Sequence, residues 1–296
     1  MKNSEERLTR VVNWFKEIGY GKNWLLGKNQ SSLTDDLKDY LHGEPFEFLI
    51  WHCLGFDWSQ HPRGDYPLCR MTDGLEVAIT SYFHQRILEV GEKLSGLGQP
   101  PRFMVMIPSN EGLYEKMWKY TQSRNEREFV LDRAVDGLNR KFQRMEWPNG
   151  STAEAIRWDR YLHRFGIKTG PEYYSEKGRQ IILSSKKYLE IRTEAIRNGV
   201  DHFASRGIWV NPRLIVNKRI MYYGVYAGEG CALDNLRRKG RKIIVLNFEE
   251  MRVSRMTLLG SGGRVAIITP IKPQEMEEYY RWRKKEKLKY KNESCH

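Results

Sequence analysis

The chain has 296 residues, of which 40% are apolar and 12% aromatic; that is enough material for a packed core and excludes a wholly disordered protein. It carries 50 Lys and Arg against 37 Asp and Glu, a net charge of +13, which favours polyanionic partners, nucleic acid foremost. No apolar run reaches the ~18–20 residues that span a bilayer, four of the first seven residues are charged and no apolar core of a signal peptide follows, and Cys53, Cys69, Cys231 and Cys295 have no CxxC spacing. The expected setting is therefore intracellular, cytoplasmic and reducing, with no membrane partner and no disulfide scaffold.

In chain order, Leu8, Val11, Phe15 and Ile18 recur at three- and four-residue steps and predict a helix over 4–18. Leu33, Leu37 and Leu41 predict a second helix from Ser31–Ser32 to the stop at Gly43. The apolar run 46–51 predicts a strand. Asp73 with Glu76 forms a capping box, and Leu75, Ile79, Ile87, Val90 and Leu94 continue that helix on one face. Residues 103–107 read as a buried strand, Pro108–Ser109 as a helix start, and 124–144 as a long helix. Ser151 with Glu154 reads as a second capping box opening a helix through Phe165, and a further helix is expected over 177–198.

After Gly207 the composition changes. Residues 208–210, 214–216, 220–226, 243–248 and 265–268 are short, β-branched and aromatic, with Gly and Pro between them, which is strand chemistry. The expected fold is a single α+β domain over 1–296: a helix-rich region spanning 1–206, a strand-rich region spanning 207–270 and a basic C-terminal helix or tail 271–296. The sheet is expected to be mixed or antiparallel, formed largely by 207–270 and joined by strands near 46–51 and 103–107, which need partners.

The densest set of reactive side chains lies between the first strand and the Asp73 cap. His52, Cys53, His61 and Cys69 are zinc-type ligands, but their spacing matches none of the short zinc pairs, and His52 and Cys53 point to opposite faces of a strand. Asp57, Asp65 and Asp73 are the ligand type that holds Mg²⁺ beside a phosphate, with Asp73 already explained as a cap. Metal-free chemistry is the other option. His52 or His61 serves as general base, Asp57 or Asp65 orients it or attacks directly, and Arg70 forks onto a phosphate. Trp51, Phe56, Trp58 and Tyr66 supply rings for an extruded base. A plain structured loop with Asp turn formers accounts for the same residues equally well.

A second group lies further on. Gly228 and Gly230 flank Glu229, a candidate second carboxylate if the glycines admit a ligand; an ordinary hairpin loop explains them too. Arg213, Lys218, Arg219, Arg237 and Arg238 are candidate phosphate contacts, the last two within the basic block 237–242. Cys231, near that block, is either a thiol of lowered pKa or inert. Gly260-Ser261-Gly262-Gly263-Arg264 has a faint likeness to an anion cradle, with a tight turn between strands the simpler account. Residues 281–291 form another basic run. Together these point to an enzyme acting on DNA or RNA, by group transfer to a base or nucleotide. A Mg²⁺-dependent nuclease and a non-enzymatic nucleic-acid-binding protein are the alternatives.

Overall fold

The computed structural model describes residues 2–18, 28–51, 82–107, 124–167, 171–205, 207, 209, 211–248 and 251–293. Among these, β1 (Glu47–Trp51), β2 (Arg102–Ile107), β3 (Thr152–Arg157), β4 (Ile243–Asn247) and β5 (Ala266–Ile268) form one sheet in the order β3-β2-β1-β4-β5. Every neighbouring pair is parallel. A parallel sheet is covered on both faces, so its strands are continuously apolar rather than alternating. β1 and β4 obey this: Phe48, Leu49, Ile50 and Trp51 are all buried, as are Ile243 to Leu246.

One face carries Phe48, Ile50, Phe103, Val105, Ile244 and Leu246. It is covered by α1 (Lys2–Ile18), α2 (Lys28–Leu41), α3 (His84–Ser95), α4 (Arg124–Gln143) and α10 (Pro273–Glu293). The other face carries Leu49, Trp51, Met104, Met106, Val245 and Ile267. It packs against α5 (Trp158–Arg164) and against Cys231, Ala232, Leu233 and Leu236 near the end of α8 (Pro212–Arg238). Outside that face, α6 (Pro171–Ser184), α7 (Lys187–Ala204), the earlier turns of α8 and α9 (Met251–Gly260) share a helical core of Ile182, Ile191, Val216, Ile220, Tyr223 and Met256. No described helix is long and apolar enough to cross a membrane.

The arrangement is α/β and corrects the expected α+β fold with a mixed or antiparallel sheet over 207–270. Three of the five strands precede residue 206, and 46–51 and 103–107 are the centre of the sheet rather than additions to it. Of the five stretches read as strands there, 243–248 and 265–268 contain β4 and β5, while 214–216 and 220–226 belong to the single 27-residue helix α8. Asn211 caps it, its Oδ1 accepting from the Arg213 N–H at 2.9 Å, and Pro212 occupies the first turn where no N–H is needed. Its β-branched and aromatic residues form a helical face instead: Val216, Ile220, Tyr223 and Ala227 point into one helical core. Tertiary packing overrides their strand propensity.

The second capping box is also overturned. Ser151 precedes β3, which pairs with β2 from Arg102↔Thr152 to Ile107↔Arg157, and the helix begins only at Trp158. The expected helix 177–198 is two helices with a break at Ser185 and Lys186. The Asp73 cap and the helix start at Pro108 lie outside the described residues.

Candidate functional site

The winding of the sheet reverses between β1 and β4: the chain proceeds outward through β2 and β3 on one side and through β5 on the other. In open parallel sheets, ligands occupy the crevice outside the carboxyl ends of the strands at such a reversal. Across this edge, Ile156, Met106, Trp51 and Asn247 stand in register, and Thr269 follows one step beyond the Leu246↔Ile268 pair.

The row changes chemistry at the reversal. On the β1 side Trp51 is buried edge-on against Trp158, with ring centroids 4.8 Å apart at 81°. Its Nε1 is buried with no hydrogen-bond partner among the described residues. On the β4 side Asn247 is fully buried and donates from Nδ2 to Ser254 Oγ at 2.5 Å. Ser254 Oγ in turn lies 3.1 Å from Thr269 Oγ1. An aromatic wall thus meets an amide–hydroxyl network, a pairing that suits a flat heteroaromatic group with polar edges.

Behind the edge, on the opposite face, Arg157 ends β3. It grips Asp159 through Nε at 3.1 Å and Nη2 at 2.8 Å, and reaches Asp132 of α4 at 3.2 Å. Arg160 adds a contact of 2.9 Å to Asp132. These carboxylates engage the buried guanidinium, so it ties α4 to the start of α5.

His52, Asp57, Trp58, His61, Asp65, Tyr66 and Arg70 lie outside the described residues, as do Cys53, Phe56, Cys69 and Asp73. Residue 52 follows Trp51, so the chain enters this segment from the edge just described. Among the described residues no group of three or more His, Cys, Asp or Glu could hold a metal ion; the carboxylates considered for Mg²⁺ lie outside them.

Glu229 is buried in the middle of α8, not on a hairpin loop. Its flanking glycines admit other helices rather than a ligand. A Cβ on Gly230 would fall 2.0 Å from the Thr257 carbonyl oxygen of α9, and the Gly228 N–H lies against Gly178 of α6.

Each cation of the basic block 237–242 has a partner within the fold. Arg237 forks onto Asp36 at 3.0 and 2.5 Å, Arg238 pairs with Asp234 at 2.9 Å, and Lys239 Nζ donates to the Phe165 carbonyl at 2.8 Å. Arg241 meets Glu47 at 2.9 Å and Lys242 meets Asp39 at 2.7 Å. The block lies at the N-terminal ends of β1 and β4, opposite the polar–aromatic row, and clamps α8 to α2, α5 and the sheet. Arg213 and Lys218 are exposed on the first turns of α8, and the Arg219 guanidinium lies 5.7 Å from the Tyr223 ring centroid.

Gly260 to Arg264 is a helix C-cap rather than an anion cradle or a turn between strands. Gly262 and Gly263 have positive φ, and their N–H groups donate to Leu259 and Leu258 carbonyls at 3.1 Å each. The Arg264 side chain is held by Asp234 at 2.5 and 2.7 Å.

Cys231 is buried, and burial pushes its thiol above the ordinary range despite nearby Lys177 and Arg264. It is expected to resist alkylation at pH 8 in the native protein and to react once denaturant opens α8, which mass spectrometry of the labelled peptide would read. Rapid native labelling would contradict its placement.

The sequence did not single out Asn247, Ser254, Thr269 or Trp158. The one available signal was a polar residue closing each of two apolar runs, Asn247 after 243–246 and Thr269 after 266–268. In comparison with known proteins, the chain matches no family model, no curated protein and no solved structure, so the functional reading rests on its residues and topology.

Proposed function

We propose that the protein modifies nucleic acid, transferring a group to a base or nucleotide held at the C-terminal edge between β1 and β4. The observation that carries this reading is the register of Trp51 with Asn247 at the reversal of the sheet, because it sets an aromatic wall beside an amide where the reactive segment begins. The net charge of +13 favours a polyanionic substrate over a free metabolite.

In this reading Trp51, Trp58 and Tyr66 line the base, and Arg70 takes a phosphate. Asp57, His61 or Asp65, with His52 nearby in sequence, performs proton transfer or attack. Glu229 and the Arg237–Arg238 pair are left out of the machinery, since burial and ion pairing already account for them.

The test is nucleoside mass spectrometry of DNA and RNA from cells expressing the protein, where any group donor is supplied by the cell. A new modified nucleoside is expected, and Asp57→Ala or Asp65→Ala should lower its yield by about 100-fold or more, the usual scale for losing an acid–base group. Strand cleavage that needs Mg²⁺, stops with EDTA and disappears with the same substitutions would replace this reading with a nuclease. Tight binding with no chemistry, together with full tolerance of Ala at 57, 61 and 65, would replace it with a binding protein.

A further inference from the structure

We infer that the corner between α7 and α8 is a docking point for single-stranded nucleic acid, placed on the same side of the sheet as the polar–aromatic row. This rests on the proposed action on nucleic acid and adds where the strand is held.

The position follows from lengths. α8 has 27 residues, about 40 Å at 1.5 Å per residue, whereas five-residue β4 spans only about 16 Å. Residues 239–242 join the end of α8 to the start of β4, so that end of the helix lies at the N-terminal edge of the sheet. Its contacts with the sheet core come from Cys231, Ala232, Leu233 and Leu236. Val216, Ile220, Tyr223 and Tyr226 pack in a core of helices alone. By these lengths roughly the first sixteen residues of α8, about 24 Å of helix, extend past the C-terminal edge of the sheet.

The tip combines exposed apolar and exposed basic side chains. Trp209, just before the Asn211 cap, is 85% exposed, and Leu214 in the first turn is 57% exposed. Arg213 and Lys218, four and nine residues after Trp209, are exposed and form no ion pair among the described residues. The block 237–242 is the opposite case, with all five cations engaged internally. α8 carries no Asp or Glu before Glu229, so its first turns bring positive charge and no acid of their own. An exposed indole close in sequence to exposed cations on the following helical turns matches a base with its flanking phosphates. It also favours a single strand over a duplex, whose bases offer no free face for stacking.

The experiment is fluorescence anisotropy of the full chain with labelled single-stranded and duplex oligonucleotides over a range of salt. The parent is expected to prefer the single strand. Trp209→Ala should weaken that binding about fivefold or more, the factor associated with losing one stacked base, and Trp209→Phe should restore most of it. Arg213→Ala with Lys218→Ala should lower the slope of log K against log salt by about 1.4, at about 0.7 per single-strand phosphate contact. Thermal midpoints should stay within about 1 °C, since these side chains are on the surface. If the parent binds single strands and all three substitutions leave affinity and slope unchanged, the corner is not the docking point, while the proposed function stands. If the parent binds no nucleic acid even at low salt, the proposed function and this inference fall together. A Trp209-dependent dimer or vesicle association would then assign the corner to a second copy or to lipid.

Discussion

Replacing Gly178 with Ala is expected to destabilise the protein by about 3 kcal/mol or more, the upper end for overpacking a core. The same change at Gly137 should stabilise it by about 0.5–1 kcal/mol. Both glycines are inside helices, so propensity alone favours Ala at each. Their surroundings reverse the sign at one. A Cβ on Gly178 would lie 2.0 Å from the Gly224 carbonyl oxygen and 2.4 Å from the Gly228 nitrogen of α8. Backbone atoms have no rotamer to change, so α6 would have to move away from α8. At Gly137 no described residue lies within 4 Å of the added methyl, leaving only the reduced entropy of the unfolded chain. Urea midpoints of the two variants decide the matter: a Gly178→Ala midpoint at or above the parent value would show that α6 and α8 do not cross there. Gly260 meets Ala227 of α8, and Gly230 meets α9, in the same way. Gly228, Gly230 and Gly260, which resembled loop and ligand signals in the sequence, thus lie with Gly178 where three helices cross.

Arg237→Ala is expected to cost about 3–5 kcal/mol at pH 7, because it strands a buried carboxylate. Asp36 is only 1% exposed, and its main charge partner is the Arg237 fork. Burial raises the Asp36 pKa above the usual aspartate value even with Arg237 in place. Removing the guanidinium raises it further. A carboxyl whose folded pKa exceeds its unfolded one contributes stability below the unfolded value and loses it as pH rises through the folded value. The deficit of the variant should therefore be small near pH 4 and grow toward neutral pH, and adding Asp36→Asn should recover some of it. Denaturant midpoints from pH 4 to 8 test this; a deficit constant across that range would mean that Asp36 does not stay charged and buried. The same data separate structure from binding. If Arg237 contacted nucleic acid, its loss would lower affinity in fully folded protein, whereas here affinity should fall only as the folded fraction falls.

Much of the fold follows from local pattern. The strands around 46–51 and 103–107 and those over 243–248 and 265–268 were legible because runs of apolar residues bounded by Gly, Pro or charge have few other uses in a chain of this composition. α1, α2 and α4 were legible because their apolar residues recur at helical spacing, whereas the end of the chain reads as a basic helix or tail from its charge run alone. The candidate site was half legible. The reactive segment after Trp51 stood out by composition, but nothing in it indicates that it leaves a central strand at the reversal of a sheet. Asn247, Ser254 and Thr269 come from three separate elements and have no sequence spacing to link them.

What the sequence by itself determined was which stretches are apolar enough to be buried, where charge accumulates, and which side chains are reactive. What only the tertiary structure decided was direction, pairing and partner. Thr152–Arg157 is rich in helix-forming Ala and Glu, yet it is a strand because β2 presents an unpaired edge whose backbone groups need partners. Residues 214–226 are rich in strand-forming side chains, yet they are helical because one face of that helix fits a core of other helices and its glycines let them approach. The block 237–242 has the composition of a nucleic-acid contact, and four of its five cations pair within the fold with Asp36, Asp39, Glu47 and Asp234. Three of these four lie about 200 residues away in sequence, and only folding brings them within Coulombic range.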